Sequence, residues 1–411
     1  MTRYNFDITI IGGSFTGMTA ALALSNISSK LKIALIEKRD ILNHDRQRDG
    51  RSYAISAASL QLFEEIKIAH EVGQYAGKIL DVKITDYKSP FILNFIGLQT
   101  DESKEQLGQI IENYHIHNAL RNQILKRKNI EVFAPNFYEN IQFDGEEQII
   151  SEQKTNLTSV ANSVLITLND KKILNSKLVL ACDGRSSKMR QLCGIRTIEK
   201  KYRQTAIVFN IKHQREHENV AHEKFLPGGP LAILPLHNLQ QSSIVWIVPQ
   251  EMAQTILDLD EENFAQQLTK KMENCLGKIH VISQKFSYPL SLIEGQKFYH
   301  KKILFVGDAA IAVHPIAGQG FNLTISEIRI LSRLIENNLF CGLDIASQNL
   351  INDYNKKAWF EAKKMLIATD ILNSLFDTKS LAIFLIRGLG LGLAEKIPVL
   401  KKFFIKNAGG F

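Results

Sequence analysis

Two glycine-rich segments at opposite ends of the chain carry the residue types that hold a dinucleotide. The first is Ile8-Thr9-Ile10-Ile11-Gly12-Gly13-Ser14-Phe15-Thr16-Gly17. It follows an apolar run and opens a stretch of small helix formers, Met18 to Ser25. A second apolar run, Lys32 to Ile36, ends at Glu37 and Lys38. Strand, glycine turn, helix and strand make a βαβ unit. Gly12, with Gly13 beside it, permits the tight turn, and Gly17 lets helix and strand approach closely. The helix N-terminus then offers free N–H groups and a positive dipole end to a pyrophosphate. Glu37 is placed to accept hydrogen bonds from a ribose hydroxyl. Ser14 stands where the GxGxxG fingerprint has its middle glycine, and its hydroxyl is able to donate to a phosphate oxygen.

The second segment is Gly307-Asp308-Ala309-Ala310, followed by His314-Pro315-Ile316-Ala317-Gly318-Gln319-Gly320-Phe321-Asn322. The strand Lys302 to Val306 delivers it. In this arrangement Asp308 would bond the ribityl hydroxyls of a flavin, and Pro315 to Gly320 would lie along the isoalloxazine edge. Asn322 starts a long helix with Phe321, Ile325, Ile328, Leu331 and Leu334 facing inward. A helix N-terminus aimed at the N1–C2=O edge stabilises the negative charge of reduced flavin. The two segments, in this order, predict one FAD gripped by both ends of the chain. Between them, the apolar run Lys177 to Cys182 leads into Asp183-Gly184-Arg185, with Ser187 and Arg190 opening a helix on the pyrophosphate side. Arg51, in Asp49-Gly50-Arg51, is a candidate to reach the pyrophosphate or ring. The reactive group is the flavin itself, so no side-chain dyad or triad is required. His314 and Pro315 are the candidates on the substrate side.

The 411 residues suffice for a large core and more than one domain. Apolar content of 45% and charged content of 22% are those of a soluble globular chain. The chain enters its first strand within five residues, so no targeting segment is expected ahead of the fold. No apolar run reaches bilayer-spanning length. Cys182, Cys193, Cys275 and Cys341 lie far apart, without metal-ligand spacing, which predicts reduced thiols and no metal site. The formal charge is +8. Arg387, Lys396, Lys401, Lys402 and Lys406 against Glu395 place half of it on the last 31 residues, among Leu, Ile and Phe. No nucleic-acid motif accompanies them. They suit an anionic membrane surface or a lipid-like substrate, and equally a closing helix with its lysines in water. The expected location is cytoplasmic, peripheral on the inner membrane.

Asp81 to Phe95 and Thr205 to Pro249 are strand-rich, and the prolines and glycines of Phe225 to Pro235 exclude a helix there. Asp260 to Cys275 reads as a helix with Phe264, Leu268 and Met272 on one stripe and Gly277 past its end. The expected architecture is α/β: a Rossmann-like FAD-binding domain of the glutathione reductase type, an inserted mixed β-sheet substrate domain, and C-terminal helices. The expected boundaries are 1–78, 106–192 and 293–345 for the FAD-binding domain, 79–105 and 193–292 for the substrate domain, and 346–411 for the helical region.

The chain resembles the FAD-dependent hydroxylases of ubiquinone biosynthesis (the 2-polyprenylphenol hydroxylases), a branch of the para-hydroxybenzoate hydroxylase-like monooxygenases. The resemblance is carried by the Gly12–Gly17 turn, Asp49-Gly50-Arg51, Asp183-Gly184, Gly229 to Leu236, Ala309 to Leu323, and the tail Gly388 to Leu393 with Pro398 and Lys401 to Phe403. It implies that NAD(P)H reduces FAD, that O2 gives a flavin C4a-hydroperoxide, and that one oxygen atom passes to the ring of a polyprenylphenol. It also implies other quinone-biosynthesis proteins as partners and a peripheral membrane contact. Ser14, Ile311 in place of a frequent His, Glu327 in place of a frequent Asp, and Tyr114 in place of a frequent Arg depart from the family pattern; Arg121, two helical turns along, is no evident substitute. Two other readings fit the same motifs: a hydroxylase of a small soluble aromatic, and a non-catalytic scaffold subunit of the quinone-synthesis complex.

Overall fold

A computed structural model describes residues 3–41, 50–86, 92–96, 106–144, 163–313 and 319–377. The fold is mixed α/β and is built on three sheets. The first has eight strands and a parallel centre. Ile303–Phe305, Ile173–Ala181, Arg3–Ile11, Ile33–Ile36 and Ile130–Phe133 lie side by side in that order, all parallel. Parallel strands covered on both faces are apolar throughout rather than alternating. Here Ile8, Ile10, Leu178 and Leu180 are all fully buried. The helix Phe15–Ile27 packs on the helices Asn113–Ile124 and Gln319–Phe340. The last of these carries the helix Gln348–Asp377 along its side.

The second sheet has nine strands. Its path runs Ile311–Ala312, Phe286–Gly295, Thr197–His213, Gln241–Pro249, Gly229–Pro235, Val220–Leu226, Asp81–Asp86 and Ile92–Ile96. Neighbours are antiparallel except Val220–Leu226 with Asp81–Asp86. The helices Gln250–Leu257 and Glu261–Lys271 cover one face. The core there joins Phe209, Ile233, Ile244, Trp246, Phe264, Leu268 and Met272. Phe264 sits edge-on to both Phe209 and Trp246. A third, three-stranded sheet (Ser52–Ser56, Gly108–Glu112, Gly77–Ile79) packs against the other face of the second through Ala54, Ile79 and Ile110.

The chain path differs from expectation in two places. The strand Phe286–Gly295 runs past residue 292 and pairs at its end with Ile311–Ala312, so the second sheet borrows a strand from the segment that follows it. The helix begun by the Asp260 cap ends at Lys271, because Glu273 and Asn274 take left-handed backbone with φ of 55° and 54°. The Asp260 carboxylate accepts from Asn263 N–H at 2.8 Å, as a helix cap does. Phe264→Ala removes the ring on which this second core closes. It is expected to lower the unfolding free energy by about 3–5 kcal/mol, read by chemical denaturation.

Candidate functional site

Three neighbouring parallel strands end together, and the loops beyond them carry the site. Arg3–Ile11 runs into Gly12, Ile173–Ala181 into Asp183, and Ile303–Phe305 into Gly307. In open α/β sheets ligands bind beyond the carboxyl ends of the strands. Gly12 has φ of +104°, and a Cβ there would lie 2.4 Å from the Cys182 carbonyl oxygen. At Gly17 a Cβ would lie 1.8 Å from the Gly12 carbonyl oxygen. Neither position admits any other residue, so strand, turn and helix are in direct backbone contact. Gly307, with φ of +62°, sits between Thr16 of the first helix and Thr324 of the Gln319–Phe340 helix.

The first helix has its amino end at these loops, and among the described residues no side chain caps it. Ser14 is its cap residue, yet the hydroxyl makes no capping hydrogen bond. The first-turn N–H groups of a helix have no partner inside the helix. Glu37, 5% exposed, accepts from Gly13 N–H at 2.8 Å. Its other oxygen accepts from Arg39 N–H at 3.0 Å and Arg39 Nε at 3.1 Å. Glu37, expected to meet a ribose hydroxyl, thus braces the glycine turn, and Lys38 beside it is exposed. Arg39 was not anticipated from the sequence; its signal is the basic residue two places after the carboxylate.

Ser187 caps the short helix Lys188–Leu192, and Asp183 accepts from Met189 N–H in its first turn at 3.1 Å, while the other Asp183 carboxylate oxygen is buried without a partner among the described residues. Gly184 has φ of +83°, with open space around its Cα. Arg190 ties this loop to the next: it donates to the Ala309 carbonyl and to the Arg185 carbonyl, each at 2.8 Å. Arg185 in turn donates to the Ser291 carbonyl of the second sheet. Arg51 lies over the Tyr288 ring at 5.7 Å, and its carbonyl accepts from Asn113 N–H.

Asp308 is solvent-exposed. Even so, surrounding protein raises its carboxyl above the usual range, against the pull of the Arg185 and Arg51 charges. Asp308 is thus ringed by protein while its side chain stays open to solvent. Behind it Glu327 is fully buried and accepts from Gly307 N–H at 2.6 Å. Burial first, and then the Asp308 charge, push the Glu327 carboxyl up to about 8. Tyr354, also fully buried, donates to the Phe305 carbonyl at 2.9 Å and supports the same strand end.

Asn322 behaves differently from expectation. Its side chain accepts from Ser56 N–H at 3.0 Å and donates to the Ala54 carbonyl at 2.9 Å. It stitches the closing helix to the three-stranded sheet. Phe321 beside it stacks on Phe15 and Tyr53, with ring centroids 3.7 and 4.4 Å away. His314, Pro315 and Gly318 lie outside the described residues; Gln319 and Gly320 open the helix. Tyr114 stacks on His115, which stacks on Tyr75, and Arg121 donates to the Ile41 carbonyl at 2.6 Å. A hollow of about 340 Å³ lined by Cys193, Arg196, Lys297 and Lys301 lies at the opposite end of the Ile303–Phe305 strand from Gly307 and shares none of these residues. Among the described residues no cluster suits a metal ion.

These features fit FAD: a helix end without a side-chain cap for the pyrophosphate, glycines that let strand, turn and helix meet backbone to backbone, and an exposed carboxylate ringed by protein. The chain matches the FAD binding domain family over residues 5–369. The fold and the site define an FAD-dependent monooxygenase. The chain is 30% identical over 404 residues to the ubiquinone hydroxylase UbiL of Rhodospirillum rubrum, covering 98% of this chain and 89% of that one. It is 27% identical over 410 residues to the ubiquinone hydroxylase UbiM of Neisseria meningitidis, covering 98% and 84%. The p-nitrophenol 4-monooxygenase PnpA of Pseudomonas putida DLL-E4 shares the fold, with a TM-score of 0.75 at 15% identity over 99% of each chain. The chain belongs to the FAD binding domain family and, within it, to the ubiquinone-biosynthesis hydroxylases.

Glu327 generates a pH prediction. Its folded carboxyl holds a proton that the unfolded chain releases near 4.5. Stability is therefore full below about pH 4.5 and falls as pH rises towards about 8, by on the order of a few kcal/mol. Glu327→Gln keeps an acceptor for Gly307 and cannot ionise. Thermal melts across this range are expected to show a flatter profile and a higher Tm at pH 8 for the variant than for the parent.

Proposed function

We propose that this protein hydroxylates the aromatic ring of a polyprenylated phenol on the way to ubiquinone. The observation that carries the reading is the face of the second sheet turned towards the crevice. Ile84, Ala232, Val245, Val208 and Phe286 lie in one row across it, and Tyr288 beside them meets Arg51, whose charge reaches Asp308. An apolar wall continuous with a flavin crevice suits an aromatic ring bearing a hydrocarbon tail. The names of the two relatives support the same substrate class.

In this reading Gly12, Gly13, Ser14 and Gly17 present the helix end to the pyrophosphate. Glu37, with Lys38 beside it, faces the adenosine ribose. Arg51, Asp183 and Gly184 flank the pyrophosphate and ring. Gly307, Asp308 and Ala309 hold the ribityl chain, and Pro315, Gly318, Gln319 and Gly320 follow the ring edge. Asn322 contributes by fixing where the closing helix starts. His314 and Pro315 are proposed for the substrate side. When bound, FAD supplies the redox chemistry, passing two electrons from NAD(P)H to O2 and one oxygen atom to the ring. The protein's part is to orient the ring, exclude water and hold charge where it develops. Among the described residues no helix is long and apolar enough to cross a membrane. The basic, apolar tail beyond residue 377 is proposed to meet the lipid surface or the quinone-biosynthesis protein that delivers the substrate.

The test is reconstitution. Purified protein with FAD, NAD(P)H and O2 is expected to convert a short-chain prenylphenol in detergent to a product one oxygen atom heavier, with little coupled turnover of soluble phenols. Equal turnover of soluble phenols would favour the small-aromatic reading. A protein that stays colourless at saturating FAD would favour a scaffold. Asp308→Ala is expected to weaken FAD binding about tenfold or more, so that flavin separates on gel filtration. A variant that elutes as yellow as the parent would remove Asp308 from the cofactor site.

A further inference from the structure

One ionisable side chain interrupts the apolar row of the second sheet. Register places Ile84, Glu223, Ala232, Val245, Val208 and Phe286 side by side across six strands. Strand alternation decides which way Glu223 points. Ala221, two residues earlier, packs with Ile79 and Ile110 of the three-stranded sheet. Lys224, the next residue, turns to the opposite face and pairs with Glu273 at 2.7 Å, just past the end of the Glu261–Lys271 helix. Glu223 therefore shares the crevice-facing side. At the end of its row, Phe286 packs against Gly50.

This stretch of the sheet is less covered than its neighbours. Ile84, Glu223, Ala232, Val245 and Phe286 are half-exposed, and Val208 between the last two is buried. The next row is closed by buried Phe225, Pro230, Ile247 and Ala206. On the other side Ala221 is buried against the three-stranded sheet. Half-exposure between two packed rows marks a hollow under the sheet. Among the described residues the Glu223 carboxyl has no hydrogen-bond or ion-pair partner, and burial alone pushes it up to about 7. An unpaired carboxyl in an apolar wall is costly, and such groups cluster where chemistry is done.

We propose that Glu223 is the proton acceptor for the hydroxyl of the substrate phenol, whose ring occupies this hollow. The proposal rests on the phenol-hydroxylase reading and adds to it the group that activates the ring. As a ring carbon forms its new bond to an oxygen atom derived from O2, the phenol O–H bond breaks. Its electron pair makes the ring C=O, and its proton passes to the Glu223 carboxylate. Loss of the proton on the substituted carbon and return of the Glu223 proton to the ring oxygen restore the aromatic ring. The second oxygen atom of O2 leaves as water, with both electrons coming from NAD(P)H.

Other titratable groups on the elements packed here lie apart. Asp86 is one row along the same face, and Glu112 bonds Asn210 one row the other way. Arg51 and Asp308 lie across the crevice. Lys83, His222 and Lys224 occupy the helix-covered face. None of them offsets the effect of burial on Glu223. Ionisation of Glu223 is thus expected to switch activity on as pH rises, with the kcat/KM limb centred at about 7.

Two variants in the FAD-loaded protein separate the roles. Binding of a short-chain prenylphenol and of its O-methyl ether is followed by the change in flavin fluorescence, without NAD(P)H. The parent is expected to prefer the phenol by about tenfold to a hundredfold. Glu223→Leu is expected to abolish that preference. Glu223→Gln, which accepts a hydrogen bond but no proton, is expected to keep it while kcat falls by about 10²–10⁴ and the limb near 7 disappears. Leu and Gln variants that match the parent in preference, kcat and pH profile would overturn the assignment alone. A parent that binds neither compound would overturn the phenol reading, and the role of Glu223 with it.

Discussion

The backbone contact between Gly17 and Gly12 is the constraint on which the rest of the site depends. A Cβ at Gly17 would overlap the Gly12 carbonyl oxygen, so the first helix can dock at this depth only because that atom is missing. The docking fixes where the amino end of the helix points. It also brings Thr16 against Gly307, which sets the height of the third loop relative to the first. The second loop is held by a different device. Arg190 reaches from the Asp183 loop to the Ala309 carbonyl, and burial lowers its own proton affinity while Asp183 counters it. Three loops far apart in the chain thus share one geometry through two contacts, one steric and one charge-assisted.

Electrostatics then divide the carboxylates by role. Glu37 is spent on holding Gly13 and Arg39. Glu327 is buried behind Gly307 and is neutral over much of the physiological range, so it steadies the loop without adding a full negative charge beneath it. Asp308 stays wet, with Arg51 and Arg185 near enough to favour its ionised form. Of the three, Asp308 is the one whose side chain is exposed. Had Glu327 been ionised as well, two like charges would meet at Gly307 and the loop would carry the repulsion.

The sequence made the first sheet and its loops legible because their signals are local. An apolar run, a glycine turn and small helix formers within twenty residues state a βαβ unit. The inward stripe Phe321, Ile325, Ile328, Leu331 and Leu334 states the closing helix. What stayed hidden was non-local. Arg190 and Ala309 are 119 positions apart, and Asn322 meets Ser56 across 266. No spacing rule links such pairs. The helix end at Lys271 was hidden for another reason: its left-handed residues are Glu273 and Asn274, where the glycine signal sits later, at Gly277. Glu223 was hidden because Val220 to Leu226 lacks a clean alternation of apolar and polar residues, so no face could be read from it.

That missing alternation has a physical cause that bears on function. An antiparallel sheet with one wet face alternates polar and apolar residues, but the second sheet is covered on both sides. One face packs on two helices and closes around Phe264. The other packs at one end on the three-stranded sheet, where Ala54, Val82 and Leu234 meet, and at the other on Gly50 and Arg51. Among the described residues, the stretch between them from Ile84 to Val245 is the less covered part of that second face. A sheet sealed on one side and propped at both ends on the other is left less covered between the props, which are Gly50 with Arg51 and the three-stranded sheet. The proposed substrate space is therefore a consequence of how the second sheet is supported. A polar group set into its wall answers to whatever enters from the flavin side.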